Sequence, residues 1–120
     1  MIELMKNLPA DVVAIVAHGT VTRDDYEQHI IPAVEKALTQ HEKIRFLYVL
    51  GADFTGFAGG AMWEDGRVGL EHLTRWRRIG VVADQPWIRH TVDVLGYMIP
   101  GEVKTFELKD EAEAVRWITS

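Results

Sequence analysis

The chain has 120 residues, with 13 Lys and Arg against 18 Asp and Glu, and no cysteine. That length fits one domain, residues 1–120, able to bury a core without staples, and the missing cysteines exclude a disulfide scaffold, a thiol nucleophile and Cys-based metal sites. A net charge of −5 argues against a phosphate-backbone binder, so no nucleic-acid partner is expected.

Ile2 to Leu8 reads as a weak extended segment. Val12-Val13-Ala14-Ile15-Val16-Ala17 is an unbroken, largely β-branched apolar run, the pattern of a strand covered on both faces. Pro9-Ala10-Asp11 between them is turn chemistry, so the pair predicts a β-hairpin. Thr22 begins a helix, with Asp25 at the acidic position of a capping box. Tyr26, Ile30, Ile31, Val34, Ala37 and Leu38 then define one apolar stripe. Pro32 inside that stripe predicts a kink, or a helix in two pieces.

Arg45 to Leu50 predicts a second buried strand, ended by Gly51, and Ala52 to Gly60 a long glycine-rich loop. A helix is expected from about Met62 to Arg77, with Trp63, Leu70, Leu73 and Trp76 inward. Ile79 to Ala83 is a third apolar strand. Asp84-Gln85-Pro86 opens a helix whose stripe is Ile88, Thr91, Val92, Leu95, Met98 and Ile99, stopped by Pro100-Gly101. Val103 to Leu108 alternates like an edge strand. Asp110 caps a last helix, with Glu113 at the box position and Ala114, Val115 and Ile118 inward. The order β-β-α-β-α-β-α-β-α implies an α/β fold with right-handed crossovers and a mostly parallel sheet, made mixed by the hairpin.

Ligands of open α/β sheets bind beyond the carboxyl ends of the strands. Those ends carry His18-Gly19-Thr20, the 51–60 loop and Asp84-Gln85-Pro86-Trp87. His18, Asp53 and Asp84 could converge there for acid–base work or metal binding; alternatively Asp84 caps its helix and the other two are solvated. The remaining histidines show no metal-ligand spacing, and Ser120 is the sole serine, so no nucleophile elbow is available. Gly56, Gly59 and Gly60 match neither a Walker loop nor a dinucleotide fingerprint, though their N–H groups could face an anion. Phe54, Phe57, Trp63 and Trp87 could line an apolar pocket or partner surface, or pack plainly over the core. Arg75, Arg77 and Arg78 suit the C-terminus of the helix they end.

In Gly19-Thr20-Val21-Thr22 leading to Asp25-Tyr26, in Ile31-Pro32, Phe57 to Asp65, Arg78 to Asp84, Trp87 and Glu113-Ala114 to Trp117, the chain resembles the SpoIIAA-like family of small STAS-related bacterial proteins. The likeness covers essentially the whole chain. It implies a four- or five-stranded mixed sheet with helices mainly on one face, an architecture also similar to the lipid-binding CRAL-TRIO domains. Antagonist STAS proteins carry a phosphorylated Ser or Thr at the start of the helix after the third strand. The matching stretch here, Ala58-Gly59-Gly60-Ala61-Met62, has no hydroxyl, and Thr55 lies several residues early.

These readings favour a non-enzymatic regulatory or interaction module without the phospho-switch. The alternatives are a binder of a lipid or small apolar ligand near residues 52–63, and a small enzyme using His18, Asp53 and Asp84. The expected binding residues are His18, Asp53, Phe54, Thr55, Phe57, Gly59, Gly60, Trp63, Asp84 and Trp87, with no catalytic set, metal or cofactor. The partner would be a protein or a small apolar ligand. Homodimerisation and peripheral membrane contact are compatible with the sequence. The N-terminus shows no signal-peptide pattern and no apolar run is long enough to span a bilayer, so a cytoplasmic location is expected.

Overall fold

Five strands hydrogen-bond in the order β1-β2-β3-β4-β5 in the computed structural model, which describes residues 1–61, 67 and 71–120. They are β1 (Ile2–Leu4), β2 (Val12–Val21), β3 (Ile44–Phe57), β4 (Trp76–Val82) and β5 (Glu102–Phe106). β1 runs antiparallel to β2 and completes the predicted hairpin, while β2 to β5 are parallel. Among the described residues no helix is long and apolar enough to cross a membrane.

Strand alternation sorts the core into two layers. Val13, Ile15, Ala17, Ile44, Phe46, Tyr48, Leu50 and Val81 point to one face, and Val12, Ala14, Leu47, Val49, Val82 and Phe106 to the other. The first face is covered by the helical run after β2 and by α3 (Pro86–Gly96); the second is covered by α4 (Glu111–Thr119). A two-sided cover explains why β2 and β3 read as continuous apolar runs.

The run after β2 is a helix in pieces. A short α1 (Arg23–Asp25) leads into a π-helical segment, Tyr26–Ile30, and then α2 (Ile31–Gln40), with Pro32 in its first turn. The widened π turn lets Pro32 start a new hydrogen-bond ladder where a missing N–H costs little. Thr22 caps the run as predicted: its Oγ1 accepts from Asp25 N at 3.1 Å, and Asp25 Oδ2 accepts from Thr22 N at 2.9 Å.

Four expectations need correction. β3 does not end at Gly51 but runs on to Phe57, because residues 19–21 of β2 remain available to pair Phe54, Gly56 and Phe57. The pairing is irregular, with Gly19 at a φ of 61°, where glycine is favoured. Trp76 and Arg77 belong to β4, not to the preceding helix; Trp76 is buried in the sheet core. Positions 62–66 and 68–70 of that expected helix, Trp63 included, lie outside the described residues. Asp110 sits at the N-cap of α4 without a side-chain capping bond, since a 3₁₀ turn, Leu108–Asp110, leads directly into the helix. Finally, Arg75 and Arg78 do serve helix C-termini, but of other helices. Arg75 donates to the Leu38 carbonyl in the last turn of α2 and to the His41 and Glu42 carbonyls beyond it, and Arg78 to the Trp117 carbonyl of α4.

Candidate functional site

β2 and β3 outrun β4, whose pairing with β3 stops at Val49↔Val82. The result is a two-stranded parallel ribbon at the carboxyl ends of the strands, and it carries His18, Asp53 and Thr55. His18 Nδ1 lies 2.9 Å from Asp53 Oδ1 and 3.1 Å from Oδ2. A carboxylate only accepts, so Nδ1 carries the proton and Nε2 is the basic nitrogen. This bond pulls the Asp53 carboxyl below its ordinary value. Gly51 makes the pairing possible: a Cβ there would sit 3.2 Å from Asp53 Oδ1 and 3.6 Å from His18 Nδ1. Thr55 Oγ1 is bonded to Thr20 Oγ1 across the ribbon at 2.8 Å.

Asp84 does not join them. It follows β4, and its Oδ1 accepts from Leu108 N at 3.0 Å, so it ties β4 to the segment after β5. Neither the convergent triad nor the helix cap describes it. Ser120 is at the opposite end of the sheet, where its Oγ bonds to the Trp117 carbonyl and accepts from Arg78. Gly59 and Gly60 are exposed, and a Cβ on Gly60 would face the Arg23 stem at 3.5 Å.

The predicted aromatic grouping divides. Phe54 is buried in the core and meets Phe57 edge-on, with ring centroids 5.1 Å apart. Phe57 and Trp87 both line a cavity of about 290 Å³ on the first face of the sheet. Its floor is Phe46, Tyr48 and Leu50 of β3 with Trp76, Ile79 and Val81 of β4. One wall is Tyr26, Ile30 and Val34; the opposite wall is α3 and its end, through Ile88, Thr91, Val92, Leu95, Met98 and Ile99. Trp87, Leu95 and Met98 are 53%, 48% and 58% exposed, so they form the rim where the cavity meets solvent.

Among the described lining residues, hydroxyl groups come from Tyr26, Tyr48 and Thr91. Tyr26 and Tyr48 hydroxyls are 3.1 Å apart, on side chains 1% and 6% exposed. Thr91 Oγ1 is committed to the Trp87 carbonyl at 2.8 Å. The α3 stripe is visible in the sequence, but the floor is not. The period-two placement of Phe46, Tyr48 and Leu50, facing Tyr26, Ile30 and Val34 at period four, was a signal for a shared layer. It contained nothing to say that the layer encloses a space.

Metal chemistry has one further possibility among the described residues. Ligand atoms of Glu35, Glu71 and His72 lie within 4.8 Å of one another, with Arg67 paired to Glu71 at 3.3 Å.

Comparison with known proteins follows the same outline. A family model described as SpoIIAA-like matches residues 12–119. Among solved structures, the chain is similar to an uncharacterized protein from the DUF3478 family with a SpoIIAA-like fold, from Shewanella loihica. The two share 27% identity with a TM-score of 0.78, over 98% of this chain and 93% of that one. Among curated proteins none matches.

Proposed function

The chain belongs to the SpoIIAA-like family, and we propose that it is a non-enzymatic binding module that takes a lipid or other small apolar ligand between the Tyr26–Val34 wall and α3. The carrying observation is the cavity itself: about 290 Å³, near the lower end of ordinary ligand pockets, lined by aliphatic and aromatic side chains and rimmed by exposed Trp87, Leu95 and Met98. An apolar body entering it removes its own surface and that of the rim from water. The strand-end residues support binding over catalysis. The sole serine is structural and far from His18–Asp53, and Asp84 is engaged elsewhere. Native mass spectrometry of freshly purified protein tests the reading. The expected spectrum carries an adduct that organic extraction removes and an apolar probe restores; an apo mass that no apolar probe shifts would overturn it.

A second reading, a protein-interaction module, is favoured by the outer side of α3 and its end, where Val94 is 52% and Tyr97 is 92% exposed. Self-association is its simplest form. Sedimentation velocity across a concentration series should then show a dimer that Tyr97→Ser weakens, and a monomer throughout would remove that form.

A further inference from the structure

We infer that the ligand of this cavity is an uncharged amphiphile with a single hydrogen-bonding head, such as a long-chain alcohol, rather than a fatty carboxylate or a phosphate-bearing lipid. The inference rests on the cavity reading and narrows it. No described lining residue is Lys, Arg, His, Asp or Glu. Residues 62–66 and 68–70 include Glu64 and Asp65 but no Lys, Arg or His, so that stretch supplies no cation either. An anionic head drawn fully into this enclosure would lose its hydration with no Lys, Arg or His among the described lining residues to replace it.

The enclosure is not purely hydrocarbon, however. The Tyr26 and Tyr48 hydroxyls, 3.1 Å apart, belong to one wall and the floor, the π-helical segment and β3. A phenol both donates and accepts. A neutral head that also does both, such as a hydroxyl, matches the chemistry of this pair. The π-helical turn fits this role, because such turns concentrate at functional sites and here one sets Tyr26 and Ile30 into the wall.

The test is competition against diphenylhexatriene, a hydrocarbon probe without polar atoms, at about pH 8, where a carboxylate is ionised. Decanol should displace the probe at a concentration about tenfold lower than decanoate. In Tyr26→Phe and Tyr48→Phe, probe binding should persist while decanol weakens about fivefold. Circular dichroism and urea unfolding check that each variant is folded, and either single variant suffices for the comparison. Decanoate competing as well as decanol overturns the neutral-ligand inference. Decanol affinity unchanged in both folded variants overturns the tyrosine head site. Each of those outcomes leaves the cavity reading standing; failure of the probe to bind wild-type protein removes the cavity reading and this inference together.

Discussion

Arg45 grips Asp11 with two parallel bonds, Nε to Oδ2 at 2.9 Å and Nη2 to Oδ1 at 2.8 Å, while Nη1 donates to the Ser120 carbonyl at 3.1 Å. Arg45 is only 6% exposed and is the one charged residue in the buried set of described residues. The fork fixes three distant parts of the chain: the hairpin turn before β2, the first residues of β3 and the end of α4. Arg78 on β4 completes the anchor through the Trp117 carbonyl, at 2.8 Å, and the face of the Trp117 ring. The amino ends of the parallel strands are therefore pinned by guanidinium groups, while the carboxyl ends are left to the ribbon and the cavity.

Arg45→Met keeps the apolar stem and deletes the fork. The half-buried Asp11 carboxylate and the Ser120 carbonyl then lose their donors, the guanidinium's buried site is left without its charge, and unfolding stability should fall by about 2 kcal/mol. Asp11→Asn keeps one acceptor for the guanidinium and should cost about 1.5 kcal/mol. Urea denaturation followed by circular dichroism measures both. An Arg45→Met variant within about 0.5 kcal/mol of wild type would show that the fork contributes little.

Acid should destabilise the protein through the same group. The hydrogen bond from Arg45 holds the Asp11 carboxyl below its ordinary value. At Asp25 burial pushes the carboxyl up, but the Thr22 N–H and the N-terminal ammonium more than offset it, and the net direction is again downward. A carboxylate depressed in the folded state binds fewer protons there than in the unfolded chain. Its contribution is thus complete above the ordinary carboxylate range, about pH 4, and is lost as pH falls through the folded value. Melting temperature should hold from about pH 7 to 5 and drop below pH 4, with a shallower drop in Asp11→Asn. An equally steep acid limb in that variant would mean Asp11 is not responsible.

Much of this fold was legible because local signals agreed with one another. The Thr22–Asp25 box and the β-branched run of β2 each have one local solution, and each is found; of the two outcomes open to Pro32, a kink or a helix in pieces, the second is found. What was not legible depended on partners far away in sequence. Gly51 looked like a strand terminator, yet it lies within β3 because unpaired backbone of β2 at Gly19 to Val21 extends the ladder past it. Trp76 looked like a helix-face residue, but Ile44 of β3 pairs with it. At the site, His18 and Asp53 meet because β2 and β3 are neighbours in the sheet, whereas Asp84, which follows β4, turns to Leu108. A cavity is harder still to read, since it is a shortage of atoms and leaves no residue pattern.

Two glycines should tolerate no side chain. A Cβ on Gly80 would meet Leu47 Cδ1 at 2.9 Å and the Trp117 ring at 3.2 Å, so β4 and α4 pack against bare backbone there. On Gly101 the Cβ would run into the Trp76 carbonyl, which is backbone and cannot swing aside. Gly80→Ala should cost about 1–3 kcal/mol and Gly101→Ala at least as much. Gly59, with open space around its Cβ position, is the control and should change by less than about 0.5 kcal/mol. Thermal melts of the three variants decide this, and a neutral Gly101→Ala would contradict the packing.

The His18–Asp53 pair can be read directly by long-range ¹⁵N–¹H NMR of the imidazole. With the carboxylate accepting, the neutral ring should be the Nδ1–H tautomer, and Gly51→Ala should shift it toward Nε2–H by crowding Asp53 Oδ1 and Nδ1. Wild-type protein already in the Nε2–H form would show that the bond is not made in solution.

The cavity makes the last prediction. Thr91 lines it from α3 and is exposed, so an indole at this position reaches across the mouth toward Leu95 and Trp87 without entering the core. Thr91→Trp forfeits only the bond from Oγ1 to the Trp87 carbonyl, and that carbonyl keeps its place in the helical ladder. Stability should stay within about 0.5 kcal/mol of wild type. The volume lost is another matter: a Trp side chain occupies a large share of a space this small, and diphenylhexatriene affinity should fall at least about tenfold. Fluorescence titration compares the two proteins. If the blocked and open cavities bound the probe equally, the probe would have to sit elsewhere, and the enclosure between Tyr26 and α3 would not be where this protein holds an apolar molecule.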